Sequence, residues 1–281
     1  MKQKILITGA KGQLGTDIVN ELNKYDIYEG FGIDRTDFDL VKDFKEFNNY
    51  FKNIKPDICI HCAAYTQVDK AETNEKLCME INYEVTKKIA DICKKEGSKL
   101  IFFSTDYVFD GNFDGIINED HPQNPLNIYG KSKAEAEKYI INNLINYFII
   151  RISWVFGKNG KNFVETISRL AKERDSITVV DDQIGSPTYT IDVAKNIKFF
   201  IESKDSGIVH LTNAGYTSFY DWANKIVELQ NIDCKVLPIK SKDYPQIAKR
   251  PLNSRLSNQS SINMGINMPT WQDALLEYLN N

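Results

Sequence analysis

Three groups of residues in this chain have the types and the spacing for chemistry. The first is S-T-D-Y, Ser104 to Tyr107, where two hydroxyls, a carboxylate and a phenol follow the apolar run K-L-I-F-F. The second is Tyr129 with Lys133 in Y-G-K-S-K, four positions apart and so on one face of a helix. The third is G-A-K-G-Q-L-G with Gly9, Gly12 and Gly15, directly after the apolar run K-I-L-I-T. A glycine-rich turn between a strand and a helix lets backbone amides and the helix N-terminus approach a diphosphate with no Cβ in the way. No G-K-[ST] follows it, which excludes a P-loop.

A phenol of ordinary pKa ~10 is a poor acid–base group at neutral pH. A lysine ammonium nearby, joined by a cationic oxidised nicotinamide, favours the phenolate and draws that pKa down. Lys131, two residues from Tyr129, falls on the wrong face for this. Asp34, ending the second apolar run, stands where a carboxylate would hold an adenosine ribose, or else caps the next turn. Arg35 beside it could meet a 2′-phosphate, so NADH and NADPH both remain open. Arg250, in the turn-rich A-K-R-P-L-N-S-R, could clamp a diphosphate in bidentate fashion or form a surface salt bridge, with Arg255 as the substitute.

These residues need a scaffold, and the first 150 or so positions supply an alternation of short apolar runs and helical stretches. The runs K-I-L-I-T-G, Y-E-G-F-G-I-D, D-I-C-I-H-C-A-A, K-L-I-F-F-S-T-D and Y-F-I-I-R-I-S read as strands buried on both faces, hence parallel. Helices are expected at Leu14 to Tyr25, Asp43 to Phe51, Asn74 to Glu96 and Tyr129 to Asn143. The fold class is α/β, a doubly wound parallel sheet with a smaller C-terminal α/β lobe. We expect a dinucleotide-binding unit at 1–153 and a mainly substrate-binding lobe at 154–281, with residues 178–200 or so returning to the first unit. Ligands in such sheets bind beyond the C-terminal strand ends, which is where Ser104 to Tyr107 fall. A helix over F-Y-D-W-A-N-K-I-V-E-L-Q has Ser218 as its candidate cap.

The 281 residues carry a formal net charge of −3, with 42% hydrophobic and 26% charged residues. This is the balance of an ordinary globular protein and makes no electrostatic case for nucleic acid or an anionic membrane as partner. No apolar stretch approaches the roughly 20 residues of a spanning helix. The start M-K-Q-K-I-L-I-T is interrupted by Gly9, Lys11 and Gly12 too early for a secretion signal, so a strand and a cytoplasmic protein are expected. Five cysteines and three scattered histidines make no metal cluster. C-x-x-C at Cys59 and Cys62 lies inside an apolar run, where thiols are core residues.

Taken together, I-L-I-T-G-A-K-G-Q-L-G, C-A-A-Y-T-Q-V-D-K-A-E, F-S-T-D-Y-V-F-D-G, Y-G-K-S-K-A-E-A-E, R-I-S-W-V-F-G, D-D-Q-I-G-S-P-T and R-P-L-N-S-R-L resemble the extended short-chain dehydrogenase/reductase superfamily. Within it the chain resembles the dTDP-4-dehydrorhamnose reductase family over nearly its whole length. The glycine turn and Y-x-x-x-K mark only the superfamily. V-D-K-A-E, S-T-D-Y-V-F-D-G and R-P-x-N-S are more specific.

The resemblance implies Thr105, Tyr129 and Lys133 as catalytic residues. It implies Gly12, Gln13 and Leu14 at the dinucleotide phosphates, Asp34, Asp39 and Leu40 toward adenosine, and Ala63, Ala64 and Tyr65 along the rest of the cofactor groove. Thr105, Asp106 and Trp154 would touch a dTDP-sugar, with Tyr107 shaping the sugar pocket; Trp154 would otherwise be a core aromatic. The implied reaction is NAD(P)H-dependent reduction of the C4 ketone of dTDP-4-dehydro-L-rhamnose by a monomer or homodimer. Mg2+ is reported for some relatives and has no assigned residues here. The alternatives are another nucleotide-sugar ketoreductase, epimerase or dehydratase, and a non-enzymatic nucleotide-binding subunit like the regulatory subunit of methionine adenosyltransferase. Dehydratases carry T-D-E where this chain has Thr105-Asp106-Tyr107, and a phenol cannot replace that carboxylate as a base at neutral pH.

Overall fold

The structure, a computed structural model, describes residues 2–281. The first half runs β1 (Gln3–Thr8), α1 (Gln13–Leu22), β2 (Tyr28–Ile33), α2 (Phe44–Ile54), β3 (Ile58–His61), α3 (Val68–Thr73), α4 (Glu75–Met79), a π-helical segment (Glu80–Glu84), α5 (Val85–Glu96), β4 (Lys99–Thr105), α6 (Ile128–Asn143) and β5 (Tyr147–Ile152). The second half runs β6 (Val155–Phe156), α7 (Phe163–Glu173), β7 (Ser176–Val180), β8 (Ile184–Gly185), β9 (Thr188–Tyr189), α8 (Thr190–Glu202), β10 (Gly207–His210), β11 (Thr217–Ser218), α9 (Phe219–Leu229), β12 (Lys235–Ile239), β13 (Asn253–Ser254), α10 (Gln259–Asn263) and α11 (Trp271–Asn280).

Six strands form one parallel sheet in the order β10-β5-β4-β3-β1-β2. Strand alternation shows why it is covered on both faces. Ile5, Ile7, Ile58, Ile60, Ile101 and Phe103 point into a core shared with α1 and α8. Their neighbours Leu6, Cys59, Leu100 and Phe102 point into a second core under α2, α5 and α6. Each such side chain, fully withdrawn from water, contributes roughly 1.5–3 kcal/mol, so a one-residue register slip would be prohibitive. The chain leaves β1 for β2 on one side and β3 on the other, and this reversal opens a crevice at the C-terminal strand ends.

β10, with Val209 and the following Leu211, and α8, with Val193, Ile197 and Phe200, belong to the same core as α1. A separate core of α7, α9 and α11 against β7 and β12 includes Phe156, Trp222 and Trp271. Ser218 caps α9 by accepting the Asp221 N–H at 2.9 Å. Cys59 is buried and Cys62 half-buried, and burial pushes the Cys62 thiol up, as inert core thiols require.

The helix expected over Asn74 to Glu96 differs in one respect. It is α4 and α5 joined through the π-helical turn, with the short α3 ahead of it. The wider turn holds Asn82, which is fully buried and bonded to Tyr65 and Ser132. Nothing in the apolar spacing announces this, because one extra residue per turn alters the period only locally.

Candidate active site

A cleft of about 1030 Å³ lies along the C-terminal strand ends, at the crevice the topology opens. Gly9, Gly12, Gln13 and Leu14 line one end, Ala63, Ala64 and Tyr65 the middle, and Thr105, Tyr129, Lys133 and Trp154 the other end. Gly9 has φ 68°, and a Cβ there would meet the Ala63 amide nitrogen at 2.7 Å. A Cβ on Gly15 would come within 2.1 Å of the Gly9 carbonyl oxygen. Gly15 therefore does not line the cleft; it is where α1 closes on the turn. The cradle fits a dinucleotide diphosphate, since added side chains at Gly9 and Gly15 would collapse it.

The adenosine end carries mixed charge. Asp34 accepts the Thr36 N–H and hydroxyl, both at 2.7 Å, and pairs with Lys11 at 2.9 Å. The Thr36 hydroxyl first and Lys11 second hold the Asp34 carboxyl well below the usual carboxylate range. Arg35, exposed, pairs with Asp39 at 3.3 Å, and Leu40 lines the cleft beside them.

At the other end, β4 delivers Ser104 and Thr105 to the cleft floor. The Thr105 hydroxyl donates to Asp106 Oδ1 at 2.9 Å and accepts the Tyr107 N–H at 3.2 Å. Ser104 Oγ is buried, lines the cleft and has no protein partner among the described residues. Burial pushes the Asp106 carboxyl up to about 6, against the hydroxyls of Ser254 and Thr105. Asn127 caps α6 by accepting the Gly130 N–H at 2.7 Å, and so fixes where Tyr129 and Lys133 enter the cleft. The Tyr129 phenol faces the Thr105 hydroxyl, and its ring meets Tyr107 edge-on at 5.8 Å.

Burial dominates the electrostatics of the Tyr–Lys pair in the cleft without a dinucleotide. Burial raises the Tyr129 phenol above its ordinary value, opposed by the Thr105 hydroxyl. The Lys133 ammonium lies over the Phe102 ring, 4.0 Å from its centroid, and burial pushes its own pKa down to about 7.

Trp154 lines the cleft with φ 48°, its ring stacked on Phe219 at 3.7 Å between centroids and on Trp222 at 6.0 Å. Gly185 makes room for it, since a Cβ there would lie 2.7 Å from the indole. The structure thus makes Trp154 both a cleft wall and the edge of the lobe's aromatic core. Arg250 does not line the cleft. It donates to Asp69 at 2.6 and 3.2 Å and to Gln246 at 2.9 Å, while Arg255 pairs with Asp114 at 2.9 Å.

Residues that the motifs did not single out hold the floor in place. Thr8 Oγ1 lies 2.6 Å from His61 Nδ1, and His61 Nε2 lies 3.1 Å from Thr86 Oγ1. Burial pushes His61 down to about 3, so the ring is neutral. Asn82 accepts the Tyr65 N–H at 2.7 Å and donates to the Tyr65 carbonyl at 3.0 Å and to Ser132 Oγ at 2.9 Å. Ser132 in turn donates to the Tyr129 carbonyl at 2.7 Å. Lys161 and Phe219 line the lobe side of the cleft. Among the described residues no three His, Cys, Asp or Glu side chains converge as a metal site, and no helix is long and apolar enough to cross a membrane.

A glycine cradle at the switch point of a doubly wound sheet, with a Thr–Tyr–Lys set at the far end of the same cleft, defines a Rossmann-like dinucleotide-binding protein of the extended short-chain dehydrogenase/reductase type. Residues 3–281 match the family model described as the RmlD substrate binding domain. The dTDP-4-dehydrorhamnose reductase of Aggregatibacter actinomycetemcomitans is 38% identical, covering 97% of each chain. A crystal structure of a dTDP-4-dehydrorhamnose reductase from Clostridium acetobutylicum superposes with a TM-score of 0.95 at 39% identity, covering 99% of both chains. The enzyme of that name from Bacillus anthracis, solved in complex with NADP, gives 0.94 at 38% identity, covering 100% of this chain and 99% of that one. The chain belongs to the dTDP-4-dehydrorhamnose reductase family.

Proposed function

We propose that this protein reduces the C4 ketone of dTDP-4-dehydro-L-rhamnose to dTDP-L-rhamnose with NADPH or NADH, in the cytoplasm, on the path to a cell-surface polysaccharide. The observation that carries this reading is the Tyr129 phenol facing Thr105 at one end of the cleft whose other end is the glycine cradle. Reduction needs a proton donor, and a phenol raised by burial stays protonated until an alkoxide forms beside it. The residues present fit the dinucleotide, which when bound supplies hydride to C4.

Tyr129 hydrogen-bonds the ketone oxygen and passes its phenolic proton to that oxygen as the carbonyl electron pair moves onto it. Thr105 orients the phenol and the ketone from the strand end, with Asp106 as its acceptor and second sugar contact. Lys133 holds the nicotinamide ribose. Tyr107 and Trp154 bound the sugar on two sides, with Trp154 held rigid by Phe219. Residues 154–281 act mainly as the sugar-nucleotide lobe.

At the adenosine end, Asp34 suits a free 2′-hydroxyl, while Lys11 and Arg35 suit a 2′-phosphate. Both cofactors are therefore accepted. The test is oxidation of NADPH and of NADH by the purified protein with dTDP-4-dehydro-L-rhamnose. One cofactor oxidised per sugar reduced is expected, and folded protein that turns over neither overturns the reading.

A further inference from the structure

The R-P-L-N-S segment touches the S-T-D-Y turn at more than one point. The Arg250 guanidinium lies beside the Tyr107 phenol, and four residues on the Ser254 hydroxyl lies beside the Asp106 carboxylate, whose Oδ2 has no hydrogen-bond partner among the described residues. Between them Pro251 lies so close to Gly111 that a Cβ on the glycine would come 2.6 Å from the proline ring. The other ends of Arg250 are engaged: both terminal nitrogens donate to Asp69, and one also reaches Gln246 and the Ala248 carbonyl. Asp69 accepts the Ala248 N–H at 3.0 Å, so one carboxylate on α3 holds the loop and its arginine together. Asn127, the cap of α6, donates its amide to the Lys249 carbonyl at 2.8 Å. Beyond Tyr107 lies the catalytic helix itself. A Cβ on Gly130 would sit 2.1 Å from the Tyr107 carbonyl oxygen, and the two tyrosine rings meet at 78°.

We infer that Arg250 is a positioning residue for Tyr129, acting through Tyr107, rather than a ligand of the substrate diphosphate. The inference rests on the reductase reading and deepens it. A guanidinium tied to α3 and lying beside a phenol restrains the ring that packs against the proton donor. A small displacement of that donor from the forming alkoxide slows the chemical step and leaves substrate affinity almost untouched.

The experiment is a steady-state double-mutant cycle of Arg250→Met and Tyr107→Phe, each checked for folding by thermal melting. Arg250→Met lowers kcat by about 10- to 100-fold and changes the KM for the dTDP-sugar less than about threefold. The double variant is no slower than the slower single one, because the two residues act in series. Arg250→Lys keeps the charge without the fork, recovers only part of kcat, and serves if the methionine variant does not fold. A KM raised about tenfold or more with kcat unchanged, or losses that multiply in the double variant, overturns the inference. So does a crystal structure of Arg250→Met in which Tyr129 keeps its place against Thr105, a result that needs no turnover. Failure of the reductase reading is distinct, since it is seen in the unsubstituted protein.

Discussion

Asp106 offers a quantitative check on the electrostatics of the cleft floor. Its carboxyl is 3% exposed, and burial pushes it from an ordinary 3.8 to about 6. That gap converts to about 3 kcal/mol. The sign follows from proton binding. A folded-state value above the unfolded one means the native protein keeps a proton that the unfolded chain has released. The stabilisation is complete below the unfolded value and is lost as pH rises through the folded one. Asp106→Asn keeps the shape and removes the titration. The unfolding free energy of the variant minus that of the wild type should therefore grow by about 2 kcal/mol between about pH 4.5 and pH 8. Any constant offset from the new amide cancels in that comparison. Urea unfolding followed by tryptophan fluorescence across the pH series measures it. A difference flat in pH, or one that shrinks toward alkaline pH, would refute the claim that the carboxyl is desolvated.

Tyr129→Phe should lower kcat by about 10²- to 10⁴-fold with little change in cofactor affinity, read by NADPH oxidation and by fluorescence titration of the cofactor. Asn82→Ala strands the Tyr65 N–H and the Tyr65 carbonyl and should cost roughly 2–4 kcal/mol in urea unfolding, since each unsatisfied buried group costs about 1–3 kcal/mol. Arg151 and Glu137 form a fully buried pair at 2.7 Å, with Arg151 also donating to the Glu119 carbonyl in the segment after the S-T-D-Y turn. Arg151→Met should destabilise by about 3–5 kcal/mol, and restoring neutrality with Glu137→Gln in the same chain should recover part of it.

The scaffold was legible because its signals are local. A strand such as I-L-I at Ile5 to Ile7 is apolar at every position because α1 and α8 cover one face and α2, α5 and α6 the other. Gly9 announces itself because only glycine tolerates both φ 68° and the nearby Ala63 backbone. The i,i+4 spacing of Tyr129 and Lys133 holds because both lie on one uninterrupted helix, α6.

What was not legible is which polar groups remain free once the chain has folded. Arg250 reads in the sequence as either a diphosphate clamp or one half of a salt bridge, since a guanidinium in a turn suits both. Its partner Asp69 lies 181 positions away, and no spacing rule connects them. Lys133 reads as a partner of Tyr129 on one helix face, while its orientation over Phe102 is set by packing across two elements. The Thr8–His61–Thr86 and Asn82–Ser132 contacts likewise join residues 25 to 53 apart. A short motif therefore states which strand end a side chain occupies, while long-range pairing decides what that side chain still has to give. For this site the distinction has a direct consequence. S-T-D-Y-V-F-D-G and R-P-L-N-S are separate stretches in sequence and one interlocked unit in the fold, so a substitution in either should be read first through its effect on Thr105 and Tyr129.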